Sequence, residues 1–209
     1  MIKEIIFDFG NVICYFTNDI LIQRISDLGK KTKEEVFELI YKKSDITKRF
    51  ESGIITSEEF YEELSSICGL NISYEELKEV YSKDKFTPVE GMNELIESLK
   101  KKYKIGLLSN TGPWDYDYVL KVAPIVKTFD TITTSFEAGA MKPSPMIFED
   151  ALKKSQLKPE ECLYTDDIAD YVEAAKRMGM KAVQFTTIEK FKIDLKSFGL
   201  FGTESIDGI

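Results

Sequence analysis

Asp8 closes a short apolar run, Ile5-Ile6-Phe7, and is followed by Phe9-Gly10-Asn11. Such a run, ending in Asp-x-Gly-Asn, reads as a buried strand breaking into a turn. In open α/β sheets, ligands bind at the carboxyl ends of strands. Asp8 is thereby placed to act as a nucleophile, a metal ligand or both. Three further groups share that placement. Ser109 and Asn110 follow the apolar run 104–108, where a hydroxyl and adjacent backbone N–H groups can bind phosphate oxygens. Lys142 lies in the loop Gly139-Ala140-Met141-Lys142-Pro143, where an ammonium can neutralise a bound oxyanion. Asp166 and Asp167 follow the run 162–165. A carboxylate and a phosphate repel each other, and a Mg²⁺ ion held by carboxylates, together with a lysine, lowers that barrier. Singly, each group has an ordinary explanation as a turn residue, a helix cap or a solvated lysine. Their common position at strand ends makes the set specific.

The elements that must hold these groups fall into two regions. Residues 15–85 show helical spacing of apolar positions, as in Leu21, Ile22, Ile25 and Leu28. Three capping boxes, Thr32 with Glu35, Thr56 with Glu59 and Ser73 with Glu76, mark helix starts. The region reads as a bundle of about four short helices without a strand. From Pro88 the pattern alternates: helices near 91–102, 115–122, 145–154 and 171–178, strands at 104–108, 131–134, 162–165 and 182–185. A βαβαβ series implies an α/β, Rossmann-like parallel sheet with helices on both faces. Residues 1–14 and 86–209 are expected to form this core, and 15–85 an all-helical cap inserted over the carboxyl edge. The stretch beyond Lys190 is weakly patterned, and 199–209 reads as a loose tail.

Composition narrows the chemistry. The 209 residues carry a net charge of −8, which disfavours nucleic acid and anionic membranes as partners. No apolar stretch approaches the roughly 20 residues of a membrane span, and Met1-Ile2-Lys3-Glu4 leads straight into a strand, so no signal peptide is expected. Three scattered cysteines, Cys14, Cys68 and Cys162, read as reduced thiols in a cytoplasmic protein. There is no histidine. Ser-His-Asp and Cys-His catalysis are excluded, leaving carboxylates, Lys, Ser/Thr and an oxygen-loving metal.

Asp-Phe-Gly-Asn-Val, Leu-Ser-Asn-Thr, Met-Lys-Pro and Asp-Asp, in this order, resemble the motifs of the haloacid dehalogenase-like hydrolase superfamily, in its helical-cap branch. Within it the chain is similar to sugar-phosphate phosphatases of the glucose-1-phosphate phosphatase type. The resemblance implies that Asp8 attacks phosphorus to form an aspartyl-phosphate, which water then hydrolyses. It implies Mg²⁺ on the Asp8 carboxylate, the Gly10 carbonyl and an acid of the fourth motif, with Ser109, the Asn110 backbone and Lys142 holding phosphoryl oxygens. Asp166 with Asp170 fits one family spacing, but the usual small-residue-then-Asp order favours Asp167 as direct ligand, with Asp166 acting through water or as second ligand. The expected substrate is a small phosphorylated metabolite. Nothing in the sequence specifies an oligomeric state.

Gly10 departs from the superfamily pattern, where an Asp there serves as general acid and base. Such help is typically worth about 10²–10⁴ in rate. Its loss is expected to favour good leaving groups, such as anomeric or acyl phosphates. Two other readings follow: a phospholigand-binding or regulatory protein that has lost turnover, and a 2-haloacid dehalogenase. Against the latter, the pair Asp166-Asp167 beside Asp8 would be unfavourable without a cation. Trp114, Tyr116 and Tyr118 are expected to pack a helix, and Phe50, Glu51 and Tyr15 to be structural residues in a region where substrate contacts arise.

Overall fold

A computed structural model describes residues 1–200. It opens with strand β1 (Glu4–Phe7) and a short strand β2 (Cys14–Phe16). Five helices follow: α1 (Asp19–Gly29), α2 (Lys33–Phe37), α3 (Ile46–Glu51), α4 (Ser57–Cys68) and α5 (Tyr74–Ser82), with a π-helical turn continuing α2 over Glu38–Lys42. Strand β3 (Phe86–Pro88) leads into α6 (Met92–Lys100), β4 (Lys104–Ser109) and α7 (Pro113–Val122). Then come β5 (Thr131–Thr134), α8 (Ser135–Ala138), α9 (Pro145–Ser155), β6 (Cys162–Asp166), α10 (Ala169–Arg177), β7 (Lys181–Gln184) and α11 (Ile188–Ser197).

β1 lies at the centre of a five-stranded parallel sheet of order β5-β4-β1-β6-β7. Its residues alternate between faces, as the two-residue period of a strand requires. Ile5 and Phe7 join one apolar cluster with Ile96, Leu99, Phe191 and Leu195 from α6 and α11. Ile6 joins another with Phe148, Ala151, Val172 and Ala175 from α9 and α10. Both faces are thus covered, which is why the strands read as continuous apolar runs. The register sets Phe7 opposite Leu107 and Thr165, so Asp8, Ser109 and Asp166 emerge at one edge.

All three capping boxes form, at α2, α4 and α5. Helices α1–α5 pack around their own cluster, into which α7 inserts Trp114. Its ring meets Phe50, Phe60, Tyr74 and Tyr81 with centroids 5.1–5.6 Å apart, and Nε1 donates to the Tyr74 hydroxyl at 3.0 Å. Trp114 packs, as expected.

Three expectations need correction. The stretch 15–85 is not free of strand: Tyr15 and Phe16 pair antiparallel with Thr87 and Phe86. This ribbon gave no alternating signal because both side chains are largely solvated, at 55% and 44% exposure. The bundle holds five α-helices rather than four. Beyond Lys190 the chain is not featureless but helical; α11 is anchored by Phe191 and Leu195 while Ile193 faces outward, which blurs the helical period. Of the tail, residues 201–209 lie outside the described residues.

Candidate active site

The edge residues converge through Lys142. Asn110 fixes the lysine's backbone from two sides: its Oδ1 accepts from Lys142 N at 2.8 Å, and its Nδ2 donates to Lys142 O at 3.2 Å. The ammonium is buried and donates to Asp8 Oδ1 and Asp166 Oδ2, each at 2.7 Å, with Tyr164 Oη at 3.1 Å and the Leu108 carbonyl at 3.2 Å also in reach. The Tyr171 ring lies 5.1 Å away. Burial works against the charge of Lys142, but Asp8 and Asp166 outweigh it and hold its pKa above the ordinary lysine value. Burial pushes the Asp8 carboxyl up to about 7, Lys142 opposing and Asp166 adding to the rise.

Asp166 is fully engaged. Oδ2 takes Lys142 and the Tyr164 hydroxyl, and Oδ1 takes the N–H of Ile168 at 2.9 Å. Asp167 is half-buried and accepts one side-chain bond, from Asn11 Nδ2 to Oδ2 at 3.1 Å, which leaves Oδ1 open. Burial raises its pKa, against Asn11. Asn11 sits at φ 54°, the left-handed region that asparagine tolerates better than most residues. Carboxylate oxygens of Asp8, Asp166 and Asp167 all lie within 4.8 Å of one another. Three carboxyl groups and one ammonium make an acidic, all-oxygen cluster, a donor set suited to a hard divalent cation such as Mg²⁺.

These groups open into a cavity of about 340 Å³, at the low end for small-molecule sites. Asp8, Gly10, Ser109, Asn110, Lys142 and Asp167 line it, while Asp166 lies behind the wall. Tyr41, Glu51, Tyr81, Lys85 and Asp115 also line it. Of the residues weighed from sequence, Glu51 and Tyr116 reach this cavity; Phe50 does not, being stacked on Phe60 with centroids 3.9 Å apart, nor do Tyr15 and Tyr118. Tyr41, Tyr81, Lys85, Asp115 and Tyr171 carried no local signal. Only the Gly-Asn turn after β1 hinted at Asn11.

Residues 5–185 match the haloacid dehalogenase-like hydrolase family. The chain belongs to that family. Among the family's characterised proteins it is 30% identical over 191 residues to D-ribitol-5-phosphate phosphatase of Bacteroides thetaiotaomicron, covering 88% of this chain and 92% of that one. It is 31% identical over 122 residues to glyceraldehyde 3-phosphate phosphatase of Pyrococcus furiosus, covering 56% and 50%. A predicted haloacid dehalogenase-like hydrolase from Porphyromonas gingivalis superposes with a TM-score of 0.80 at 27% identity, over 97% of this chain and 100% of that one. A family enzyme from Bacteroides thetaiotaomicron, solved with magnesium and inorganic phosphate, shares the fold with a TM-score of 0.79 at 24% identity, over 90% and 96%. With its relatives, this haloacid dehalogenase-like hydrolase is a phosphoric monoester hydrolase. No described helix is long and apolar enough to cross a membrane.

Proposed function

We propose that the chain is a Mg²⁺-dependent phosphatase of small sugar or polyol phosphates, working through an aspartyl-phosphate on Asp8 beneath a cap formed by residues 15–85. The observation that carries this reading is the meeting of Asp8, Ser109, Lys142 and Asp167 at one cavity of small-molecule size, with Asp166 directly behind them.

The Asp8 carboxylate and Gly10 carbonyl would hold Mg²⁺ with Asp167, whose Oδ1 is open. Asp166, committed to Lys142, Tyr164 and Ile168, takes a supporting place. When bound, the ion neutralises charge that repels the phosphate. Asp8 attacks phosphorus, and the ester oxygen leaves with the bonding electron pair. Lys142, already directed at Asp8 by Asn110, balances charge on the phosphoryl oxygens together with the Ser109 hydroxyl. Water then cleaves the acyl phosphate and frees Asp8. Gly10 offers the leaving oxygen no proton, which favours good leaving groups; the names of the relatives point instead to primary-alcohol phosphates.

The three cysteines are free and buried, which suits a cytoplasmic setting. The test is phosphate release from a panel of phosphorylated metabolites and p-nitrophenyl phosphate at fixed Mg²⁺. Turnover that chelation removes and Asp8→Asn abolishes is expected. Turnover surviving Asp8→Asn, or ligand binding with none at all, overturns the mechanism.

A further inference from the structure

The cavity also carries an ion pair that the phosphoryl chemistry does not use. Lys85 Nζ donates to Asp115 Oδ2 at 2.7 Å, with the two residues only 4% and 9% exposed. They come from different elements: Lys85 from the segment before β3, Asp115 from the first turn of α7. Asp115 Oδ1 is buried and has no hydrogen-bond partner among the described residues. A buried acceptor left unmet is costly, so such an atom calls for a donor. Lys85 uses one of its three N–H groups on Asp115, and its ammonium stands 4.5 Å from the centroid of the Tyr81 ring. The Glu51 carboxylate and the Tyr41 and Tyr81 hydroxyls line the same wall and make no side-chain hydrogen bond to the described protein. Glu51 is held there through its backbone: its carbonyl accepts from Ser135 Oγ at 2.5 Å, and that oxygen also accepts from Thr111 N at 2.9 Å.

We infer that Glu51, Lys85 and Asp115, with the Tyr41 and Tyr81 hydroxyls, form a receptor for the hydroxyl groups of an uncharged polyol chain whose phosphate lies at Asp8. The inference rests on the phosphoryl reading of the Asp8 end. A carbon chain bearing hydroxyls can donate to Glu51 while accepting from the remaining N–H groups of Lys85, which Asp115 holds in place. A second phosphate or a carboxylate fares worse. The one cation on this wall is already paired at 2.7 Å, and Glu51 adds no positive charge, so another anion would be buried without compensation. An alkyl chain leaves the polar groups unmet, and sites built to bond a hydroxyl reject analogues lacking it.

The experiment compares D-ribitol 5-phosphate, n-pentyl phosphate and 3-phosphoglycerate. Calorimetry on Asp8→Asn protein at saturating Mg²⁺ reads binding without turnover. Ribitol 5-phosphate is expected to bind at least tenfold more tightly than the other two. Adding Asp115→Asn or Glu51→Gln should shrink that ratio to below about threefold. If Asp115→Asn fails to fold, Glu51→Gln, outside the ion pair, carries the measurement. Equal affinity for all three, tightest binding of the carboxylate, a ratio untouched by either substitution, or no binding at all overturns the receptor. Preferential binding without phosphate release by the wild-type enzyme from any ester would sink the phosphatase reading and leave the receptor standing. Turnover without the preference would do the reverse.

Discussion

Phe16 fills the space that a side chain at position 10 would need. A Cβ built on Gly10 lies 3.1 Å from Phe16 Cδ1 and 3.2 Å from Cε1, and 3.9 Å from Asp8 Oδ2. The missing acid and the aromatic residue are therefore linked: any side chain at position 10 would press its Cβ against the Phe16 ring.

Restoring an acid should require moving that ring. Gly10→Asp combined with Phe16→Ala is expected to speed hydrolysis of alkyl phosphates by about 10–100-fold relative to p-nitrophenyl phosphate, which needs little protonation. Gly10→Asp alone should gain less. The quantity to follow is the ratio of kcat/KM for the two esters, and an unchanged ratio in the double variant would remove general acid catalysis from the account of Gly10.

The two adjacent acids should separate into different phenotypes. Asp166→Asn removes one of the two carboxylates on buried Lys142 and is expected to cost about 3–5 kcal/mol of stability. Asp167→Asn touches only Asn11 and should leave stability nearly intact, while raising the Mg²⁺ needed for half-maximal activity by about tenfold or more, because one ligand charge is lost. Denaturant titrations and Mg²⁺ titrations of both variants check this. A reversed pattern would make Asp166 the direct ligand.

Trp114 joins α7 to the helices before it, and it is the chain's one tryptophan. Trp114→Ala should destabilise by about 3–5 kcal/mol, and Trp114→Phe by less, since a ring still fills part of the space. In the wild type, fluorescence of this residue reports on packing among Phe50, Phe60, Tyr74 and Tyr81. Chemical denaturation followed at this signal supplies the measurement.

Glu51 gives a pH dependence of stability. Burial, with Asp115 adding and Lys85 opposing, pushes its carboxyl from 4.5 up to about 7. Between those values the folded chain keeps a proton that the unfolded chain has lost, so this group makes stability fall as pH rises through the window and level off above 7. The contribution is at most about 3 kcal/mol across the window. Glu51→Gln should flatten that slope and be relatively more stable at pH 8 than at pH 5. A slope identical to wild type would mean that Glu51 titrates normally.

Much of this was legible in the chain. The parallel sheet followed from apolar runs alternating with helical spacing, and the placement of Asp8, Ser109 and Asp166-Asp167 at one edge followed from it, whereas Lys142, in the loop beyond β5 and α8, is brought there by Asn110. Strand ends of a parallel sheet share one edge, so residues at those ends meet whatever the loops between them do. The capping boxes were equally readable because both partners lie within one helical turn.

What the local pattern could not carry were pairings decided by packing over distance. Lys85 and Asp115 are thirty residues apart, and Asn11 and Asp167 are separated by 156. Phe16 looked like part of a helical region until its strand paired with Phe86. The ribbon β2–β3 and helix α11 left weak traces because each buries few apolar residues. The set of acids and the hydroxyl gathered at the strand ends was thus fixed by residue type and the geometry of parallel strands. The polar groups Glu51, Lys85 and Asp115 at the same cavity, the ring beside Gly10 and the different hydrogen-bond partners of Asp166 and Asp167 were decided by the tertiary structure, because each depends on which side chains from remote elements reach the same few ångströms of space.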